Sequence, residues 1–302
     1  MTGKTAIEWS DMTWNPVTGC EQISPGCDHC YAMVLHNQRY KAYVKYNGVY
    51  PKNGKKMLLQ YAKPFEKIQI FPDRLDDPMT IRTPQKIFVN SMSDWCHEDI
   101  PLVFVLDMFR TMCRANWHTY QLLTKRANRF GVLLPHLRQV FEDETGSYEW
   151  PAHIWNGVTI ESYAQRGRAR ILKETEAPIT FISYEPALGS LVGPDTSYLT
   201  GISQIIYGDE SGKDNRPSKP EWAHEAYSLS RKYGMAFFLK QFVAPSGQKI
   251  HKPTLGGQEY LEFPLEEPRT ASYEAFKQAW KERGQDPSVK KRWMDKIEFV
   301  VQ

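Results

Sequence analysis

The sequence predicts an α/β protein built as a partial or full (β/α) TIM-type barrel with parallel strands. Three observations predict it. After about residue 85, short apolar runs alternate with amphipathic stretches of helical length, and the alternation recurs five times. The runs are continuously apolar, as strands covered on both faces of a parallel sheet require. Six of them end in polar residues, which a barrel gathers at its C-terminal rim and an open doubly wound sheet would concentrate at one switch point.

The elements follow in chain order. TAIEWSDMTW, before Asn15, supplies a short first strand. Residues 38–84 have no clear period and carry several Lys, Tyr and Pro residues, an insertion suited to a lid. KIFVNSMSD (Lys86 to Asp94) reads as a strand, followed by a helix with Leu102, Val105, Leu106 and Phe109 on one face. TYQLLTK (Thr119 to Lys125) precedes a helix around RFGVLLPHLRQVF that Pro135 is expected to break or kink. HIWNGVTIES (His153 to Ser162) comes before the helical YAQRGRARILKET, and ITFISYEP (Ile179 to Pro186) leads into a loop-rich stretch. QIIYGDESG (Gln204 to Gly212) precedes KPEWAHEAYSLSRKYG, and MAFFLKQF (Met235 to Phe242) closes the series. Gly- and Pro-rich text then gives way to a polar helix-like tail. Residues 1–244 therefore read as the barrel and 245–302 as a polar C-terminal extension.

Composition narrows the class. With 302 residues, 41% hydrophobic and 24% charged, the chain has ample material for a buried core. No apolar run reaches the ~20 residues of a membrane span. The start MTGKTAIEWSDMTW has no apolar signal core, so a cytoplasmic protein without structural disulfides is expected. A net charge of +3 does not by itself argue for nucleic acid, although Lys281 to Lys296 forms a local basic run.

The chemistry concentrates in NPVTGCEQISPGCDHCYA, where Cys20, Cys27 and Cys30 are spaced C-x6-C-x2-C around a Pro25-Gly26 turn. Two site types fit three such thiols. A structural zinc would need a fourth ligand, with His29, His36 or His97 as candidates. An iron–sulfur cluster held by three cysteines would keep one iron open for a substrate or cofactor. The same text, Asn15-Pro16-Val17-Thr18-Gly19-Cys20 and Gly26-Cys27-Asp28-His29-Cys30-Tyr31-Ala32, resembles the radical S-adenosylmethionine (SAM) superfamily and within it the branch around spore photoproduct lyase. The first cysteine gap here has six residues, where the common superfamily spacing has three. TAIEWSDMTWNPVTGC, SMSDWCHEDIP, GVTIES, SYEP, GDESG and FFLKQF together resemble a phage-associated three-cysteine-motif family, with matches across roughly residues 5 to 265.

The superfamily resemblance implies a [4Fe-4S] cluster on Cys20, Cys27 and Cys30 that binds SAM and, on one-electron reduction by a reductase or flavodoxin-type donor, cleaves it to start radical chemistry. The likeness to the photoproduct-lyase branch extends this to DNA or a nucleotide as substrate. From the strand ends, Ser91, Ser93, Asp94, Thr159, Glu161, Asp209 and Glu210 are the candidates to contact SAM, with Arg216 close in sequence to the last two. Lys125, Glu185, Glu210, Lys240 and Cys96 are the catalytic candidates; the two lysines could instead pair with Glu185 or Glu210. Cys96, beside Asp94 at the rim, could be a fourth ligand or a hydrogen donor, whereas Cys113 falls in a helix pattern and reads as core. The alternative is a non-enzymatic, zinc-stabilised module that binds nucleic acid or protein. A third outcome is a degenerate barrel that keeps its cluster for structure or redox sensing.

Overall fold

Neighbouring strands follow one another in nearly unbroken chain order. The protein was analysed as a computed structural model, which describes residues 2–210, 215–244, 246, 248–265 and 273–282. The strands are β1 (Thr2–Lys4), β2 (Met12–Trp14), β3 (Val17–Thr18), β4 (Gln69–Ile70), β5 (Lys86–Val89), β6 (Thr119–Thr124), β7 (Ile154–Thr159), β8 (Thr180–Tyr184), β9 (Gln204–Gly208), β10 (Ala236–Val243) and β11 (Lys249–His251). The helices are α1 (Tyr31–Lys45), α2 (Leu102–Arg114), α3 (Phe130–Thr145), α4 (Gly167–Lys173), α5 (Pro220–Tyr233) and α6 (Tyr273–Glu282).

Nine strands form one sheet in the order β1-β2-β5-β6-β7-β8-β9-β10-β11, while β3 and β4 form a separate antiparallel pair. Every neighbour contact from β2 to β10 is parallel, and β1 and β11 cap the two edges antiparallel. The strand order has no reversal, as in a barrel wall. Among the described residues, however, no pairing joins β1 to β11. The architecture is thus a large, mostly parallel α/β sheet compatible with a partial TIM-type fold, and the described residues show no closed barrel.

Strand periodicity sorts the core into two clusters. On the helix-covered face, Ile87, Val89, Tyr120, Leu122, Ile182 and Tyr207 pack with α2, α3 and α5, and seven of the 13 residues of α2 are buried there. On the opposite face Trp9, Phe88, Trp155, Phe181, Ile206 and Phe238 form an aromatic floor. Gly157 permits that floor: a Cβ at this position would stand 2.5 Å from Cζ of Phe181. After β11 the chain returns along β10, where the Leu239 amide donates to the Tyr260 carbonyl at 2.8 Å and Phe263 meets Phe238 edge-on with ring centroids 5.3 Å apart.

Two local expectations change. Pro135 does not end its helix: α3 runs through it from Phe130 to Thr145, and its missing N–H leaves the Gly131 carbonyl without its helical donor. The stretch TAIEWSDMTW contributes only Met12–Trp14 to the parallel sheet, and Trp9 folds onto the opposite face as part of the aromatic floor. Ser211 and Gly212 of GDESG, and the basic run from Lys281 to Lys296 beyond Glu282, lie outside the described residues.

Candidate functional site

The cysteine loop begins where β2 ends. Asn15, which is buried, accepts hydrogen bonds at Oδ1 from the Ser91 hydroxyl (3.1 Å) and the Met92 amide (3.0 Å), joining the loop start to the end of β5. Ser93 Oγ donates to the Gly19 carbonyl at 2.6 Å, the Gly19 amide to the Met92 carbonyl at 3.0 Å, and the Cys20 amide to the Phe65 carbonyl at 3.0 Å. Gly19 is required here: its φ is +98°, and a Cβ would lie against the Lys67 carbonyl oxygen. Ser91 and Ser93, expected as SAM contacts, thus both have their hydroxyls engaged in holding the loop.

Three arginines fasten the rest of the loop. Arg126 donates to the Glu21 carbonyl at 3.2 Å. Arg168 donates to Glu161 Oε2 at 2.8 Å, and Glu161 Oε1 accepts from Ser24 Oγ at 2.6 Å. Gly26 seats the loop on that carboxylate, since a Cβ there would be 2.5 Å from Glu161 Oε1. Arg216 grips Glu210 with its fork, Nε to Oε2 at 2.9 Å and a terminal nitrogen to Oε1, and reaches the Pro25 carbonyl at 2.7 Å and Asp28 Oδ2 at 3.1 Å. His29 Nδ1 completes the network 2.9 Å from Glu210 Oε2. Burial pushes the Glu210 carboxyl upward, but the Arg216 guanidinium and amide together with His29 outweigh it and hold it below the usual carboxylate range.

Cys20 and Cys30 pack against one apolar cluster of Ala32, Phe65 and Met92, while Cys27 is buried with Ser24 Oγ 3.7 Å from its sulfur. Burial, and then Asp94, push the Cys20 thiol up to about 12, and Cys30 and Cys27 add to the rise against Arg126. All five cysteines are free of disulfides. Among the described residues no three His, Cys, Asp or Glu side chains close around a point that would hold one ion.

A cavity of about 140 Å³ lies between this loop and the strand ends. Its wall includes Cys30, His29 and Tyr31 from the loop side, Ile7, Trp9, Phe88 and Leu123 as an apolar floor, and Lys125, Thr159, Ser183, Glu185, Glu210 and Lys240 from five consecutive strands or the turns just past them. Alternation explains the selection. At each strand end one polar residue faces the cavity and its neighbour faces the other way. Thr124 donates to Asp94 Oδ1 at 2.6 Å, Asp209 accepts from the Tyr207 hydroxyl (3.0 Å) and the Val243 amide (2.8 Å), and Gln241 donates to the Asp209 carbonyl at 2.7 Å. Asp94 and Asp209 are therefore buried supports whose carboxylates are already bonded. Cys96 is fully buried in the helix-side core, its thiol raised well above the ordinary value by burial and then by Asp94. Cys113 is core, as its helical position implied.

Inside the cavity Lys240 Nζ pairs with Glu185 Oε1 at 2.5 Å. Lys125 has no ion-pair partner among the described residues; its amide donates to Asp94 Oδ2 at 2.9 Å. The Trp9 indole N–H is buried without a partner among the described residues. Trp9, Ser24, Arg126 and Arg168 are not among the candidate site residues read from the sequence. Their roles follow from contacts between residues more than 100 positions apart, or from side chains already assigned to helices, so nothing local signals them.

Residues 4–264 match the family described as "Protein of unknown function (DUF5131)", and the chain belongs to that family. No curated protein matches it. Among solved structures it is similar to spore photoproduct lyase complexed with dinucleoside spore photoproduct, at 10% identity and a TM-score of 0.42, covering 87% of this chain and 71% of that one. A mutant of spore photoproduct lyase gives a TM-score of 0.41 at 10% identity with the same coverage.

Proposed function

We propose that this DUF5131 chain is a radical-SAM-type iron–sulfur enzyme, with Cys20, Cys27 and Cys30 holding a [4Fe-4S] cluster and the adjoining cavity receiving SAM and a substrate of nucleotide or nucleic-acid class. One observation carries the reading: a loop with three thiols is tied by Glu161 and Glu210 over the strand ends, and its Cys30 shares a cavity wall with Lys125, Thr159, Glu185 and Lys240. The donor set fits. Thiolates are the ligands iron–sulfur clusters take, and three of them would leave one iron without a protein ligand. A single zinc is the alternative and would need a fourth ligand: His29, His36 and His97 each have one ring nitrogen engaged, by Glu210, the Lys63 carbonyl and the Asp99 amide, and the other left for a metal, so the metal content measured below separates the two readings.

When bound, the cluster and SAM would supply one-electron chemistry, with the electron coming from an external reductase or flavodoxin-type donor. The chain's own residues have distinct tasks. Trp9, Phe88 and Leu123 keep the floor apolar and exclude water. Thr159 and Ser183 offer hydroxyls at the wall, the Lys240–Glu185 pair orients polar groups, and Lys125 supplies a cation for an anionic group.

The test is anaerobic purification with iron, sulfide and zinc measured together, and electron paramagnetic resonance of the reduced protein with and without SAM. About four iron and four sulfide per chain, with a signal that SAM alters, supports the proposal. One tightly held zinc and no iron after reconstitution refutes it.

A further inference from the structure

The charge of this chain is segregated. Between His29 and Phe65 the sequence has no Asp or Glu, yet it holds seven of the chain's Lys and Arg residues and six of its 16 tyrosines. The whole chain is only +3, so the remainder is net acidic. Arg39, Lys41, Lys45, Lys52, Lys55 and Lys56 are all exposed, and none makes an ion pair with a described carboxylate. Arg39 instead donates to the Tyr61 hydroxyl at 2.9 Å, and Lys45 lies 5.2 Å from the Tyr46 ring centroid.

The same segment leaves its apolar groups uncovered. Only Ala32 and His36 are buried among the 15 residues of α1. Tyr31, Tyr46 and Tyr50 are 49%, 38% and 44% exposed, with Val44 and Leu59 more open still. Cations interleaved with exposed aromatic rings, without acidic residues between them, match a single-stranded nucleic acid: the cations meet phosphates and the rings stack bases. A membrane surface would call for apolar residues gathered on one face of the helix. Here Val34, Leu35, Arg39, Lys41, Val44 and Lys45 are mixed around α1. An acidic protein segment would meet the cations but would not use the rings.

We infer that residues 29–65 form a docking surface for single-stranded nucleic acid that leads the strand to the cavity mouth. The two are continuous. Tyr31 opens α1, lines the cavity and donates its hydroxyl to the Ser91 carbonyl at 2.7 Å. From there α1 carries the surface about 22 Å away from the mouth. A base released from the strand at Tyr31 would meet the Trp9 and Phe88 floor, with Lys125 available to its phosphate. The surface stands on charge and exposure alone, and only its link to the cavity rests on the function proposed above.

The experiment is fluorescence anisotropy of a labelled single-stranded oligonucleotide of about 15 nucleotides, titrated with the full chain over a salt series, on preparations of known iron content. Binding is expected to weaken steeply with salt. The Lys52→Gln/Lys55→Gln/Lys56→Gln variant should make the log–log slope shallower by about 2, since each lost phosphate contact on a single strand removes about 0.7. Tyr46→Ala should weaken binding roughly tenfold with the slope unchanged. Absence of binding at low salt overturns the inference. So does binding that neither variant alters, equal binding of polyglutamate, or capture by phosphatidylglycerol vesicles in place of the oligonucleotide. Protein that takes up zinc and no iron on reconstitution yet still binds through these residues keeps the surface and refutes only the enzymatic reading.

Discussion

Removing Arg216 tests the core of the site, because one side chain fastens the cysteine loop to the end of β9. Glu210, its partner, is 4% exposed at the side chain, whereas Arg216 is 31% exposed. Deleting one partner of a fully buried pair costs about 3–5 kcal/mol. Water can replace part of what Arg216 supplies, so Arg216→Ala is expected to cost about 2 kcal/mol near neutral pH. The pH dependence identifies the cause. In the native protein the Glu210 carboxyl is held below its usual value, so its contribution is present above the unfolded carboxylate pKa of about 4.3 and is lost as pH falls through the folded value. In the variant, burial is opposed only by His29 and the backbone amide, and the carboxyl rises. The penalty should then be full near pH 7.5 and should shrink near pH 4.5, as the buried charge is protonated. Urea unfolding at the two pH values reads the stability, and iron per chain after reconstitution reads the loop. Arg216→Lys restores charge without the fork that reaches Glu210, Asp28 and Pro25 together, so it should recover less than half of either quantity. An equal loss at both pH values, or unchanged stability with full iron content, would refute the argument.

Four further outcomes are expected. Gly26→Ala places a methyl 2.5 Å from Glu161 Oε1, which Ser24 and Arg168 hold in place; reconstituted iron should fall while far-ultraviolet circular dichroism stays native. Gly157→Ala drives a methyl into the buried Phe181 ring at 2.5 Å and should cost about 1–3 kcal/mol in urea unfolding, with relief on adding Phe181→Leu. Alanine at Cys20, Cys27 or Cys30 should each abolish the reduced cluster signal, and alanine at Cys113, buried in the core, should leave it intact; a cluster surviving loss of Cys27 contradicts the ligand assignment. Lys240→Met leaves Glu185 charged and unpaired in the cavity and should cost about 3 kcal/mol, most of it recovered in Lys240→Met/Glu185→Leu and readable as a double-mutant coupling.

Much of the sheet was legible because parallel strands covered on both faces are written as continuous apolar runs, and KIFV, TYQLLT and QIIYG needed no tertiary information. Closure of the sheet was not legible, since that depends on whether edge strands meet, and β1 and β11 are short antiparallel caps. The polar strand ends were visible in sequence, but which of two neighbours faces the cavity was not. A shift of one residue exchanges the faces, so Asp209 and Glu210 could not be told apart before Phe181, Ile206 and Phe238 fixed the cavity side. The sequence pattern also assigned Ser91, Ser93, Glu161 and Glu210 to a ligand because polar residues at a rim suggest one. In the folded chain Ser91, Ser93 and Glu161 bond to the cysteine loop, and Glu210 both holds His29 and Arg216 and lines the cavity.

That use of the rim couples the site to folding. Ser24 meets Glu161 across 137 residues and Pro25 meets Arg216 across 191, so the loop is seated only once β7 and β9 have joined the sheet. The three thiols cannot be presented together by an isolated N-terminal segment. A group bound to them would therefore favour the native state over the unfolded chain by its full binding free energy, and its loss should lower resistance to unfolding in the sheet as well as in the loop. The raised Cys20 thiol points the same way. At neutral pH that cysteine keeps its proton, so a metal bound there would have to displace it.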